Sequence, residues 1–293
     1  MKNAEKGKSM RIDFTKMEGI GNDFIVIDDR NLQIEQQISY ERLSKKLCDR
    51  KFGIGGDGLI LLLNSDTCSL KFKIFNPDGS EAQMCGNGMR CFAKQAYEKK
   101  IMDQDEFKVE TLAGIIIPKV LLNTKGEIDS IRVDMGKPIL ENERIPFISK
   151  NRESVLENIE VDGQWIEITT VSMGNPHAVI FVDCLEKAPV TRLGPRIEID
   201  QRFPEKTNVE FVEVLSEKEI QMKVWERGAG ETLACGTGAC ASLVAACLAG
   251  KTCERAIVHL AGGDLFIEWN RQNNHVYKTG PAKTVFEGSI EIS

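Results

Sequence analysis

Two stretches of this 293-residue chain carry the same unusual string in the same frame. Residues 75–91 read FNPDGSEAQMCGNGMRC, residues 225–241 read WERGAGETLACGTGACA, and Cys235 follows Cys85 by 150 positions. At that offset Glu81 matches Glu231, Gly86 matches Gly236 and Gly88 matches Gly238. Upstream, Gly21-Asn22-Asp23-Phe24 before IVID pairs with Gly174-Asn175-Pro176-His177 before AVIFVD, at an offset of 153. Two blocks in the same order, each ending in strand, loop, Cys-Gly-x-Gly and helix, constrain the fold more than any other feature. They predict two similar halves, each giving one cysteine to a shared cleft. The boundary is expected near residues 133–136, and the last strand, 285–292 after Gly280-Pro281, is expected to return to the first half. The expected domains are therefore 10–133 with 281–293, and 134–280. Residues 1–9 read as a disordered extension, with Met10 as an alternative start.

Strand-like runs dominate the rest: 24–27, 59–63, 71–75, 115–122, 131–135, 165–171, 178–182, 209–215, 220–225, 256–260 and 265–269. Helical signals are fewer. One covers 40–48, and a second starts near Asn87 with Met89, Phe92, Ala93, Ala96 and Tyr97 on one face. A third runs from about 237 to 249, stops at Gly250 and is apolar nearly all round, so it has to be enclosed on every side. Regular strand–helix alternation is missing, which excludes a doubly wound parallel sheet. The expected fold is α+β, with two pseudo-symmetric domains, each a barrel-like mixed or antiparallel sheet wrapped around a central helix, and the active site in the cleft between them.

A net charge of −6 displays no basic surface for a phosphate backbone, so no nucleic-acid partner is expected. The longest weakly polar stretch, 239–250, is about half the roughly 20 residues of a membrane span, so no membrane partner is expected either. The first ten residues lack the apolar centre of a signal peptide, pointing to the cytoplasm. The nine cysteines are odd in number, form no C-x-x-C pair and meet only three histidines, which argues against a disulfide framework or a zinc cage. Cys240, Cys247 and Cys253 read as buried filler in or after the apolar helix.

Cys85 and Cys235 are different. Each precedes Gly-x-Gly at the mouth of a helix, where unpaired N–H groups and a partial positive charge gather. That setting is expected to lower a thiol from about 8.5 toward neutrality. The glycines let backbone N–H groups approach an anion such as a carboxylate. Inverting a carbon alpha to a carboxylate needs a base on one face and an acid on the other, with donors aimed at the charge that develops. A cysteine in a Gly-rich turn is, alone, more often structural; its recurrence in the same frame reverses that reading. Gly53-Ile-Gly-Gly-Asp57-Gly58 suggests a nucleotide loop but is neither a G-x-G-x-x-G set in a βαβ unit nor followed by a G-K-[ST] ending.

With FTKMEGIGNDFIVID at 14–28, SMGNPHAV at 172–179 and VWERGAGETLACGTGACAS at 224–242 added to the first cysteine block, the chain resembles diaminopimelate epimerases from Arg11 onward. The resemblance implies an isomerase that interconverts LL- and meso-diaminopimelate with no pyridoxal phosphate, other cofactor or metal. It implies a role in lysine and peptidoglycan precursor synthesis, and a homodimer. Cys85 and Cys235 then form the catalytic acid/base pair, with His177 and Glu226 near the reacting centre. Substrate contacts fall on Asn22, Asn76, Gly86, Asn87, Asn175, Asn208, Glu226, Arg227, Gly236 and Thr237. The second amino-acid end of the substrate suits Arg227, whose planar fork matches a carboxylate. One departure stands out: Gly58 occupies a position where several members of the family carry a substrate-contacting Gln, a contact glycine cannot make. A proline racemase or hydroxyproline epimerase of the same architecture is the alternative. It uses the same cysteine pair but has no need of Asn76, Asn208 and Arg227. A non-catalytic thiol or metal-binding module is the alternative of a different class.

Overall fold

The computed structural model describes residues 9–292, so the extension read over residues 1–9 lies, apart from Ser9, outside the described residues. The chain divides into two compact units, Met1–Ile131 with Ala282–Ser293, and Arg132–Pro281. The first unit contains β1 (Met10–Gly19), β2 (Asn22–Asp28), α1 (Tyr40–Leu47), β3 (Gly58–Leu63), β4 (Leu70–Phe75), β5 (Glu81–Ala82), α2 (Gly86–Glu98), β6 (Val109–Thr111), β7 (Gly114–Ile116) and β8 (Lys119–Leu122). Its sheet runs β19-β1-β2-β3-β4-β6-β7, with β5 paired to β4, and β19 (Lys283–Ile292) is the returning C-terminal strand. A hairpin of β8 and β9 (Ile128–Asp134) carries the chain onward.

The second unit contains β10 (Glu157–Val161), β11 (Gln164–Ser172), β12 (Pro176–Phe181), α3 (Val190–Glu198), β13 (Asn208–Ser216), β14 (Glu219–Glu226), β15 (Gly230–Thr232), α4 (Gly236–Leu248), β16 (Arg255–Leu260), β17 (Gly263–Asn270) and β18 (His275–Gly280). Its strands follow the order β10-β11-β12-β13-β14-β16-β17-β18-β9, with β15 paired to β14. Both sheets are mixed and open; neither strand order closes into a barrel.

The units share one frame. β2 pairs parallel to β3 with Phe24 opposite Gly58, and β12 pairs parallel to β13 with His177 opposite Asn208. Antiparallel pairing follows in each, Ile60 with Ile74 and Glu210 with Val224. A short strand is then added in each, Phe75 with Glu81 and Trp225 with Glu231. The frame delivers the chain to the first residue of α2 and of α4 in the same way.

The sequence explains the local structure. β3 is GLILLL and buried throughout, as expected of a strand with neighbours on both edges and cover on both faces. The run read over 115–122 is interrupted between β7 and β8, where Pro118 removes a ladder donor. α2 buries Met89, Phe92, Ala93 and Ala96 against β1 to β4, and Lys99 caps its C-terminus. α4 packs against β11, β12, β13, β14, β16, β17 and β18, and its core stretch Ala239–Ala246 is buried without a break. A helix of such small apolar residues has no solvent face to offer. α3 has no counterpart among the expected helices, because Gly194 and Pro195 sit inside it and mask its short apolar stripe of Val190, Leu193 and Ile197. Among the described residues no helix is long and apolar enough to cross a membrane.

A charged network ties β1, β2 and the 49–57 loop of the first unit together. The Lys16 ammonium, buried, donates to Asp23 Oδ2 and to the Gly55 carbonyl. Arg50 bridges Asp23 Oδ1 at 2.6 Å and Asp57 Oδ1 at 2.7 Å. Burial works against the Asp23 charge, but hydrogen bonds from Arg50 and Lys16 outweigh it and hold the carboxyl down at about 2. Because the folded value lies below the unfolded one of about 3.9, the unfolded chain binds the proton first as pH falls. Stability from this pair is therefore full above that unfolded value and is lost as pH drops toward about 2. We predict that Asp23→Asn costs about 1.5–3 kcal/mol at neutral pH, the range for hydrogen bonds to charged groups. The urea midpoint of the variant should also fall less steeply than that of the wild type between about pH 5 and pH 2. Parallel curves for the two proteins would contradict the assignment.

Candidate active site

In the first unit, Cys85 is the N-cap of α2 in an extended conformation (φ −136°, ψ 118°), and its sulfur accepts the Gly88 N–H at 3.4 Å. The thiol is half-buried and lies 3.9 Å from Asn22 Oδ1. That oxygen also accepts from Asn87 Nδ2 at 3.4 Å, while Asn22 Nδ2 donates to Asp57 Oδ2 at 2.7 Å. Beneath them the buried Arg90 donates to Asn87 Oδ1 at 2.9 Å and to the Gly86 carbonyl at 3.4 Å. Asn22, Cys85, Gly86 and Asn87 thus form one connected group, oriented from below by Asp57 and Arg90. Asn76 stands in the turn after β4, exposed, with its amide donating to Ser80 Oγ at 2.9 Å. Gly58 lies buried in β3, where a Cβ would meet the Phe75 carbonyl at 3.1 Å and the Phe24 ring at 3.4 Å.

In the second unit, Cys235 caps α4 in the same way (φ −118°, ψ 108°), with Gly238 N–H donating to sulfur at 3.3 Å and Thr237 Oγ1 at 3.5 Å. It is only 4% exposed. Glu226 accepts from the Thr232 hydroxyl and reaches the Cys235 thiol. His177 Nδ1 lies 2.7 Å from Glu210 Oε1, and Nε2 lies 3.1 Å from Asn175 Oδ1. Asn208 uses its side chain within the fold, Nδ2 donating to the Pro176 carbonyl at 2.8 Å and Oδ1 accepting the Arg227 N–H at 2.9 Å. It fixes the backbone on which Arg227 sits. The Arg227 guanidinium is exposed and holds the Glu205 carbonyl at 3.0 Å through one nitrogen. Gly236 and Thr237 form the open first turn of α4.

The electrostatics of the second group depart from the sequence-based expectation of a lowered thiol. Burial, then Glu226 and Glu210, push the Cys235 thiol well up; Thr237 and the Gly238 N–H pull only partly the other way. Burial likewise raises the Glu226 carboxyl, with the neighbouring Glu210 adding to it. Cys235 is thus favoured as the thiol. Two residues that matter here, Asp57 and Glu210, escaped the sequence reading. Asp57 was hidden in a glycine-rich loop whose pattern speaks only to nucleotides. Glu210 carried a signal in NVEFVEV, where an acid shares a strand face with Asn208 inside an otherwise buried run. Among the described residues no group of three or more His, Cys, Asp or Glu side chains is placed to hold a metal ion.

The diaminopimelate epimerase family model matches residues 14–141 and 169–285. A diaminopimelate epimerase of Desulforapulum autotrophicum is 59% identical over 97% of this chain and all of that protein. One from Heliobacterium modesticaldum is 48% identical over 96% of this chain and all of its own length. Solved structures with a similar fold include a phenazine biosynthesis protein of Bacillus anthracis, with a TM-score of 0.68, 17% identity and coverage of 97% of this chain and 100% of that one. A hydroxyproline epimerase from Agrobacterium vitis has a TM-score of 0.67, 15% identity and coverage of 96% and 91%. These two share the fold. Identity over nearly the whole length is what assigns the family: the chain belongs to the diaminopimelate epimerases.

Proposed function

We propose that this protein is a cofactor-independent epimerase that interconverts LL- and meso-diaminopimelate, with Cys85 serving one face of the α-carbon and Cys235 the other. The observation that carries the reading is the thiol-capped helix N-terminus, built twice on one frame and once in each unit. One cysteine, as thiolate, takes the α-proton and becomes a thiol. The other, as thiol, gives its proton to the opposite face of the carbanion and becomes a thiolate. Charge and protons balance, and solvent exchange or the reverse reaction restores the starting state. The carbanion places charge on the substrate carboxylate, where the first-turn N–H groups of α2 and α4 stabilise it.

Asn22, Asn87, Asn175, Thr237 and Glu226 supply acceptors and donors around the reacting end, and His177 braces Asn175. Asn208 acts on the substrate through the turn it holds and through Arg227, whose exposed fork suits the distal carboxylate. Asn76 contributes to the distal end. A homodimer in the cytoplasm, working in lysine and peptidoglycan precursor synthesis, belongs to the same proposal. Action on proline or hydroxyproline is the second reading, carried by the fold it shares with the hydroxyproline epimerase, and it leaves Arg227 without a role.

We predict that Cys85→Ala and Cys235→Ala each reduce diaminopimelate epimerisation by at least about 10²-fold, the usual contribution of a positioned acid or base. Circular dichroism and melting temperature should stay close to wild type. A variant keeping a tenth of wild-type turnover would mean that its cysteine is not an essential acid/base.

A further inference from the structure

The two units offer the same backbone positions beneath their cysteines but fill them differently. Phe24 and His177 occupy matching register positions on β2 and β12, and Ile60 and Glu210 on β3 and β13. A Cβ on Gly88 would meet Ile60 Cδ1 at 3.0 Å, whereas a Cβ on Gly238 would meet Glu210 Oε1 at 2.7 Å and Cys235 Sγ at 3.2 Å. Under the first cysteine lies a methyl group; under the second, a carboxylate that flanks the same vacant position as the sulfur. Glu210 is 0% exposed, and so is the His177 ring it bonds through Oε1. Its other oxygen, Oε2, is buried with no hydrogen-bond partner. A buried carboxylate only half-satisfied carries a desolvation cost that the aliphatic version in the first unit does not incur.

We propose that Glu210 is a positioning residue of the epimerase: it fixes the His177 ring through Nδ1–H and, with Glu226, sets negative charge beside Cys235 so that this cysteine waits as the thiol. Its service as proton donor to substrate rests on the epimerase reading; the thiol state itself does not. The charged and titratable groups around it are Glu210 on β13, Glu226 on β14 and His177 on β12. β18, which also packs on α4, carries the buried Lys278. α4 itself has no charged residue in its first turn. The raised Cys235 thiol, with both carboxylates among its causes, agrees with this geometry.

The test is iodoacetamide alkylation of substrate-free protein across pH, with Cys235 and Cys85 followed separately by peptide mapping. Glu210→Gln keeps the shape and removes the charge. It should make Cys235 react at least about tenfold faster near neutral pH, the gain in thiolate when a thiol becomes more acidic by about one pH unit, with Cys85 unchanged. Glu210→Asp, which restores the charge, should return Cys235 toward the wild-type profile. An unmoved Cys235 profile in folded Glu210→Gln overturns the proposal. Should that variant fail to fold, ¹⁵N spectra of the wild-type imidazoles decide, since the chain has only three histidines. A protonated His177 Nδ1 is expected, and a bare Nδ1 with the proton on Nε2 overturns the assignment. Loss of the epimerase reading would appear separately, as no turnover of diaminopimelate by a wild-type protein in which the alkylation difference still holds.

Discussion

A glycine N–H donated to a cysteine sulfur three residues earlier sets the geometry in both units, at 3.4 Å for Gly88 to Cys85 and 3.3 Å for Gly238 to Cys235. The bond satisfies one of the orphan donors of a helix start, the duty usually given to Ser, Thr, Asp or Asn. Here it also pins the sulfur to the helix end. Close approach makes glycine the residue of choice, since a Cβ at 238 would press on Cys235 Sγ at 3.2 Å. The sulfur is then only as well placed as the helix that carries it. This accounts for α4 being enclosed by seven strands and α2 being anchored on β1 to β4.

The same cap sits in two different electrostatic settings. A helix N-terminus favours an anion by about 0.3–1 kcal/mol, up to about 2 when partly buried. Taking a charge out of water costs several kcal/mol. At Cys235 the second effect wins, aided by two carboxylates, and the thiol form is favoured. Cys85 sits half-buried beside neutral amides and an aliphatic floor. One frame thus carries two unlike surroundings without breaking the repeat.

The frame itself was legible in the sequence because its marks are local. The Cys-Gly-x-Gly strings, the alternating strands and the all-apolar 237–249 run each follow from backbone or burial requirements that act within a few residues. β1 was harder to see, because its buried Lys16 breaks the apolar alternation and is satisfied only by Asp23 and the Gly55 carbonyl from other elements. α3 was hidden by its internal Gly194 and Pro195. Among the candidate site residues, Asn22, Asn87, Asn175, His177 and Glu226 stood out because they lie within motif blocks. Glu210 and Asp57 did not, because their importance comes from partners 33 and 35 residues away in sequence, which strand register alone brings near. The position of Asn208 was readable, but its work in holding the Arg227 turn was not.

The two-thiol account makes a definite demand on where the product's hydrogen comes from. Incubating LL-diaminopimelate with the purified protein in deuterium oxide, and following both stereoisomers by proton NMR at low conversion, tests this directly. The account predicts that newly formed meso isomer carries solvent deuterium at the inverted α-carbon, while unreacted LL substrate keeps its proton. Meso product that retains the original α-proton would contradict it, because one base would then be serving both faces.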